Sequence, residues 1–238
     1  MAEQNQILRE RHVRVGRHLK DVVYAANDGI VTTFAVVAAT VGGALSPLTI
    51  LVVGIANLLA DGFSMASGDY LGSKSEEDFY AKEEAAEYRE VREKPDEERE
   101  EIRGILVRKG YRGADLEEMV RLVTANKTMW VDLMMRDELG MQKPGGASPL
   151  QSAALTFVSF ITAGSIPLLP YVLFGVHASF FWTAASAGAA LFAVGALRGY
   201  FSKTSWVLLG LEMFAVGGFA AGMAYGVGAA IRSLVSFT

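Results

Sequence analysis

The chain has 238 residues, 51% of them hydrophobic, a positive mean hydropathy of +0.28 and a formal net charge of -4. It holds no cysteine, which excludes disulfides, thiolate metal sites and cysteine nucleophiles. The three histidines, His12, His18 and His177, form no HExxH or ExxH pair, so neither a zincin nor a ferritin-type di-iron centre has support.

The charges are segregated. All but seven acidic residues fall between Leu71 and Ala147; the seven are Glu3, Glu10, Asp21, Asp28, Asp61, Asp69 and Glu212. The first segment, 1–21, is basic and lacks the apolar core and small-residue cleavage site of a signal peptide. The first apolar block, Val22 to Gly43, is followed by a short GGALSP turn and a second block, Leu48 to Gly68. A turn this short predicts an antiparallel helical hairpin. Ser46-Pro47 supplies an N-cap with proline at the first helical position.

The charged middle, 71–147, predicts three helices. The first runs from about Ser75 to Lys94 and stops at Pro95; the second runs from Asp96 to Lys109 and ends at Gly110. The third spans Asp115 to Leu139, opened by Asp115 and Glu118 in a capping-box-like spacing and closed by Gly140. No strand signal is present. The last region, 148–238, opens on a second N-cap pair, Ser148-Pro149. It carries three more apolar blocks: Leu150 to Phe174, Ala178 to Leu197 and Ser205 to Ile231. Pro167 and Pro170 predict a kink or an end in the first of these.

Each block is long enough to cross a hydrocarbon core of about 30 Å, and their glycines and alanines suit close helix packing in lipid. The expected fold is an all-α membrane protein with five transmembrane helices and a cytoplasmic three-helix domain between spans two and three. Arg9, Arg11, Arg14, Arg17 and Lys20 precede the first block, and Arg198 and Lys203 lie between the fourth and fifth. The short loops on the other side carry neither residue type. The positive-inside rule therefore predicts a cytoplasmic N-terminus and an external C-terminus.

Ionisable residues inside spans face cavities or partners. Asp61 lies 14 residues after Pro47 and Asp28 lies 15 before Gly43, which puts both at nearly one depth. Glu212 is two turns into the fifth block, at a similar level, and reads equally as a partner for Arg198 or Lys203. Asn57, Asp61, Met65 and Asp69 recur every fourth residue, with Thr32 one turn beyond Asp28. Met65 taken alone reads as packing, and Asp69 as a cap or a solvated residue. Together the set offers carboxylate, amide, hydroxyl and thioether donors, and sulfur favours transition metals over Mg²⁺ or Ca²⁺. In the middle segment, Glu87/Glu90 and Glu98/Glu101 are two E-x-x-E pairs flanking Pro95, with Met134 and Glu138 one turn apart further on. These read either as a divalent-metal site or as ordinary solvated helix charge. The acidic balance and lack of interleaved aromatics exclude nucleic acid as a partner.

The chain resembles the vacuolar iron transporter family, through AANDGIVTTFAVVA in the first block and NLLADGFSMASGDYLG in the second. The resemblance implies five spans, a cytoplasmic three-helix metal-binding domain, a homodimer and exchange of Fe²⁺, often Mn²⁺, for protons. It implies translocation roles for Asp28 and Met65, and metal capture by Glu87, Glu90, Glu98, Glu101, Met134 and Glu138. Asp61 is not part of the plant pattern, so its role rests on the depth argument. The expectation is a proton-coupled exporter of Fe²⁺, with Mn²⁺, Zn²⁺ or Co²⁺ as alternatives and no resident cofactor. Its pathway is Asp28, Met65, Asp61, Asn57 and Glu212. The rival is a membrane-anchored metal sensor or store. A membrane enzyme has no visible nucleophile–base pair. Small residues such as Ser64, Gly68 and Gly72 permit a dimer face. The expected host is a bacterial plasma membrane, or a vacuolar membrane if the source is eukaryotic.

Overall fold

A computed structural model describes residues 2–144, 148–175, 180–199 and 202–236, with side chains from residue 20 onward. The Arg9 to Arg17 side chains, His12 and His18 thus lie outside the described set, as does His177. Every element among the described residues is helical: α1 (Ala2–Gly42), α2 (Pro47–Glu93), α3 (Pro95–Arg108), α4 (Gly113–Ala125) and α5 (Lys127–Asp137). After these come α6 (Pro149–Gly164), a 3₁₀ turn (Ile166–Leu168), α7 (Leu169–Phe174), α8 (Phe180–Gly199) and α9 (Trp206–Ser236). The chain divides into two compact units, residues 1–70 with 147–238, and residues 71–146.

In the first unit, five segments are long and apolar enough to cross a membrane. The second predicted span is the opening half of α2, which continues without a break to Glu93. Ser46 accepts the Thr49 amide N–H at 3.2 Å, and Ser148 forms a full capping box with Gln151, so both predicted starts hold. The third block breaks at Ile166–Leu168, where Pro167 and then Pro170 cannot donate to the helical ladder.

α1 is the central strut, packed against α6, α8 and α9. Glycine makes this possible. A Cβ on Gly29 would sit 2.5 Å from the Phe160 carbonyl oxygen, and one on Gly228 would collide with the Ala39 carbonyl. Backbones this close allow dense van der Waals contact where lipid supplies no hydrophobic drive between helices. The outer faces carry large apolar side chains such as Leu48, Phe63, Phe181 and Phe219, all more than half exposed, as lipid contact requires.

The 71–146 unit has its own core of Ile102, Leu106, Val123, Trp130, Val131 and Met135. Two expectations fail here. The predicted third helix is two, α4 and α5, divided at Asn126. The Asn126 side chain accepts the N–H groups of Thr128 and Met129 at 3.1 and 3.2 Å, ending one helix by capping the next. Nor does Asp115 cap a helix. α4 begins at Gly113, its N-cap Arg112 makes no side-chain cap bond, and Glu118 pairs with Arg121 instead. Gly110 and Gly140 do end their helices as expected, with φ of 102° and 66° that only glycine adopts freely.

Candidate functional site

The first candidate site lies within the membrane-type unit, and α6 levels its parts. Gly29 of α1 packs on the Phe160 backbone, and Leu58 of α2 packs on Gly164. A Cβ on Gly164 would be 2.6 Å from Leu58 and 2.8 Å from the Gly29 carbonyl oxygen. Three helices therefore meet at this glycine. Asp28 precedes Gly29 and Asp61 follows Leu58 by one turn, so the junction sets both carboxylates at one level. Both are half-buried, and they lie within electrostatic reach of each other.

Asn57 donates its amide N–H to Asp61 Oδ2 at 2.7 Å, which fixes the carboxylate along its own helix. Met65 is half-buried and packs against the cluster containing Phe160 and Tyr171. Thr32 is engaged with the backbone, donating to the Asp28 carbonyl oxygen at 2.8 Å rather than to the carboxylate. Glu212 has a different setting. Its side chain is exposed and lies 3.9 Å from Arg198, one of the two partners the sequence offered. Asp69, read from sequence as a cap or a solvated group, instead accepts the hydroxyls of Ser152 and Thr156 on one oxygen, each at 2.9 Å. A hydroxyl pair four residues apart on the third block was the available signal.

The second candidate site lies in the 71–146 unit, in the charged half of α2, well past the apolar stretch Leu48 to Gly68. Pro95 turns the chain between α2 and α3, and the two E-x-x-E pairs converge. Glu87 and Glu98 are buried, 7% and 3% exposed, and the Oε2 of each has no hydrogen-bond partner. Burial first, then the charges of Glu138, Glu98, Glu90 and Glu101, push the Glu87 carboxyl up to about 7. Burial first, then Glu101, Glu90 and Glu138, does the same to Glu98, also up to about 7. Glu138 caps the end of α5 and is likewise raised, by burial, then by the charge of Glu101 and a hydrogen bond with it. Five carboxylates thus sense one another across three helices.

Among the described residues, no three acidic or histidine side chains are drawn together tightly enough to grip an ion. The donor set still suits a divalent cation: two orphaned buried oxygens inside a cluster of acid groups. Met134 is 1% exposed and belongs to the apolar core beside the cluster, one turn before Glu138.

Residues 19–229 match the profile of the VIT family. The chain belongs to the VIT family. It is 34% identical to vacuolar iron transporter 1 of Arabidopsis thaliana over 221 residues, covering 91% of this chain and 87% of that one. It is 32% identical to vacuolar iron transporter 1 of Eucalyptus grandis over 239 residues, covering 97% and 94%. A vacuolar iron transporter of Toxoplasma gondii is 34% identical over 238 residues, covering 95% and 79%.

Proposed function

We propose that this VIT-family protein is a transporter that exports Fe²⁺ from the cytoplasm in exchange for protons, with Mn²⁺, Co²⁺ and Zn²⁺ as further candidate cargo. The supporting observation is the pairing of Asp28 and Asp61 on neighbouring helices inside a membrane-type unit, with Asn57 bonded to Asp61 and Met65 one turn further along the same helix. Two carboxylates in such a setting call for a counter-charge, and either a metal ion or protons supply it. The Met65 thioether favours Fe²⁺ over the more abundant Mg²⁺. The relatives' names, vacuolar iron transporter, support metal transport and iron as cargo.

In this reading the 71–146 unit and the N-terminus face the cytoplasm and the C-terminus faces the far side, following the Lys/Arg distribution. The glutamate cluster of Glu87, Glu90, Glu98, Glu101 and Glu138, with Met134 beside it, collects the ion and raises its local concentration. The ion then passes to Asp28 and Asp61, and inbound protons displace it outward. Two copies of the chain work as a homodimer; Gly68, with open space beside it, permits close approach. The far side is the exterior of a bacterium, or the vacuole lumen if the host is eukaryotic.

The test is flux in proteoliposomes under an imposed pH gradient, with a metal-sensitive dye and a pH dye read together. Fe²⁺ moving opposite to protons is expected, and Asp28→Ala should abolish it while leaving metal binding by the 71–146 unit intact. Normal transport by Asp28→Ala would sink this mechanism. Tight binding without flux in the wild type would make the protein a sensor or store.

A further inference from the structure

The contacts between α2 and the segment Pro149–Leu168 follow one antiparallel register. Gly54 faces Leu168, Leu58 faces Gly164, and Gly62 faces Phe160 and Ile161. Each step of four residues along α2 matches a step of about four back along α6. Two turns further on, Asp69 meets Ser152 and Thr156, and its Oδ2 takes both hydroxyls at 2.9 Å. Thr156 is 3% exposed, so the seat is closed on one side. Ser152 and Thr156 are one turn apart on α6, and the carboxylate oxygen is held between them.

Leucine on glycine packs tightly but without direction, whereas a hydroxyl-to-carboxylate bond is directional and short-ranged. A displacement of α2 along α6 by one turn, about 5.4 Å, breaks both bonds at once. It would also carry Asp61 away from Asp28, because α6 holds α1 independently through Gly29 and Phe160. We infer that Asp69 is a positioning residue: clamped by Ser152 and Thr156, it sets the axial register of span two against span three, and so the level of Asp61 opposite Asp28. This rests on the transport reading above, but it makes a claim about register that transport is not needed to test.

Three variants decide the matter: Asp69→Ala, Asp69→Asn and the double Ser152→Ala/Thr156→Val. The carboxamide oxygen of Asn still accepts both hydroxyls but carries no charge. Mn²⁺ flux into proteoliposomes holding equal amounts of folded protein is the first readout. Asp69→Ala and the double variant should lower the maximal rate about tenfold with little change in KM, since small misplacement of reacting groups has effects of that order. Asp69→Asn should keep most of the rate. The second readout uses the absence of native cysteine. A Gly62→Cys/Ile161→Cys pair should cross-link readily in the parent and poorly with Asp69→Ala. An Asp69→Asn protein as inactive as Asp69→Ala would overturn the proposal, because the charge itself would then be what matters. Unchanged cross-linking in Asp69→Ala would also overturn it. If the parent moves no metal, the transport reading fails, and the cross-link alone still decides whether Asp69 sets the register.

Discussion

Replacing Glu98 with glutamine should stabilise the 71–146 unit above neutral pH while weakening its hold on metal. Glu98 is 3% exposed, has an unpartnered oxygen and is raised from 4.5 to about 7. The folded unit therefore binds this proton more tightly than the unfolded chain does. The stability that follows is fully present below about pH 4.5 and is lost as pH rises through about 7. The shift corresponds to roughly 3 kcal/mol for Glu98 taken alone. Glu87 shares part of the same repulsion, so the two do not add. At pH 8, Glu98→Gln removes the buried charge and should recover a large share of that energy; at pH 5 it should change little. Each kcal/mol moves the melting midpoint of a unit of this size by about 4–8 °C. The assay is thermal unfolding of chelator-treated, full-length protein, followed by the fluorescence of Trp130, which is 4% exposed in the core of the unit. Trp182→Phe and Trp206→Phe remove the other two signals. Added Mn²⁺ should raise the midpoint of the parent at pH 8 and leave Glu98→Gln nearly unmoved. A parent midpoint equal at pH 5 and pH 8, or a Glu98→Gln protein less stable at pH 8 without metal, would refute the reasoning.

Metal binding to the parent should release protons most strongly near and below pH 7, where Glu87 and Glu98 still carry them; calorimetry in buffers of different ionisation enthalpy measures the number. Gly29→Ala places a methyl 2.5 Å from a backbone oxygen that has nowhere to go, so it should cost about 1–3 kcal/mol and lower the yield of folded protein in detergent. Asn57→Ala removes the 2.7 Å bond to Asp61 and should slow metal flux several-fold without abolishing it, and wild-type flux would show that Asp61 needs no positioning. Glu212→Gln breaks only an exposed pair at 3.9 Å, so flux within about twofold of the parent is expected; complete loss would place Glu212 in the pathway.

The five spans were legible because lipid imposes long apolar blocks and the breaks carry proline or glycine. The level of Asp28 and Asp61 was legible because helix rise converts residue count directly into depth. The convergence of the two E-x-x-E pairs was legible from Pro95. What periodicity could not give were the events decided by a single side chain. Asn126 continues the polar pattern of its neighbours, yet its short amide captures two backbone N–H groups and splits a predicted helix in two. Asp69 was placed from its own helix alone, while its partners lie more than eighty residues away on α6. Gly164 reads as one small residue among many. Its place where three helices meet depends on their packing, which no local pattern encodes.

The Asp28–Asp61 pair also bears on the choice between exchange and storage. A store gains from a site that keeps its ion, and for that a rigid, fully liganded cage is best. Here the donors come from separate helices, Asp61 is steadied by a neutral amide, and the Thr32 hydroxyl, one turn from Asp28, is engaged with backbone. In the proposed exchange, such a pair would hold a cation without saturating it. In that reading, metal and protons would compete for the same two carboxylates. Competition of this kind is the least that exchange requires. In the other unit, burial and neighbouring acid groups raise Glu87 and Glu98 to about 7, so in the proposed reading a metal ion bound there would displace protons near neutral pH. Because any carboxylate site gives up protons when it takes a metal ion, competition alone does not separate exchange from storage; coupled flux of metal and protons does.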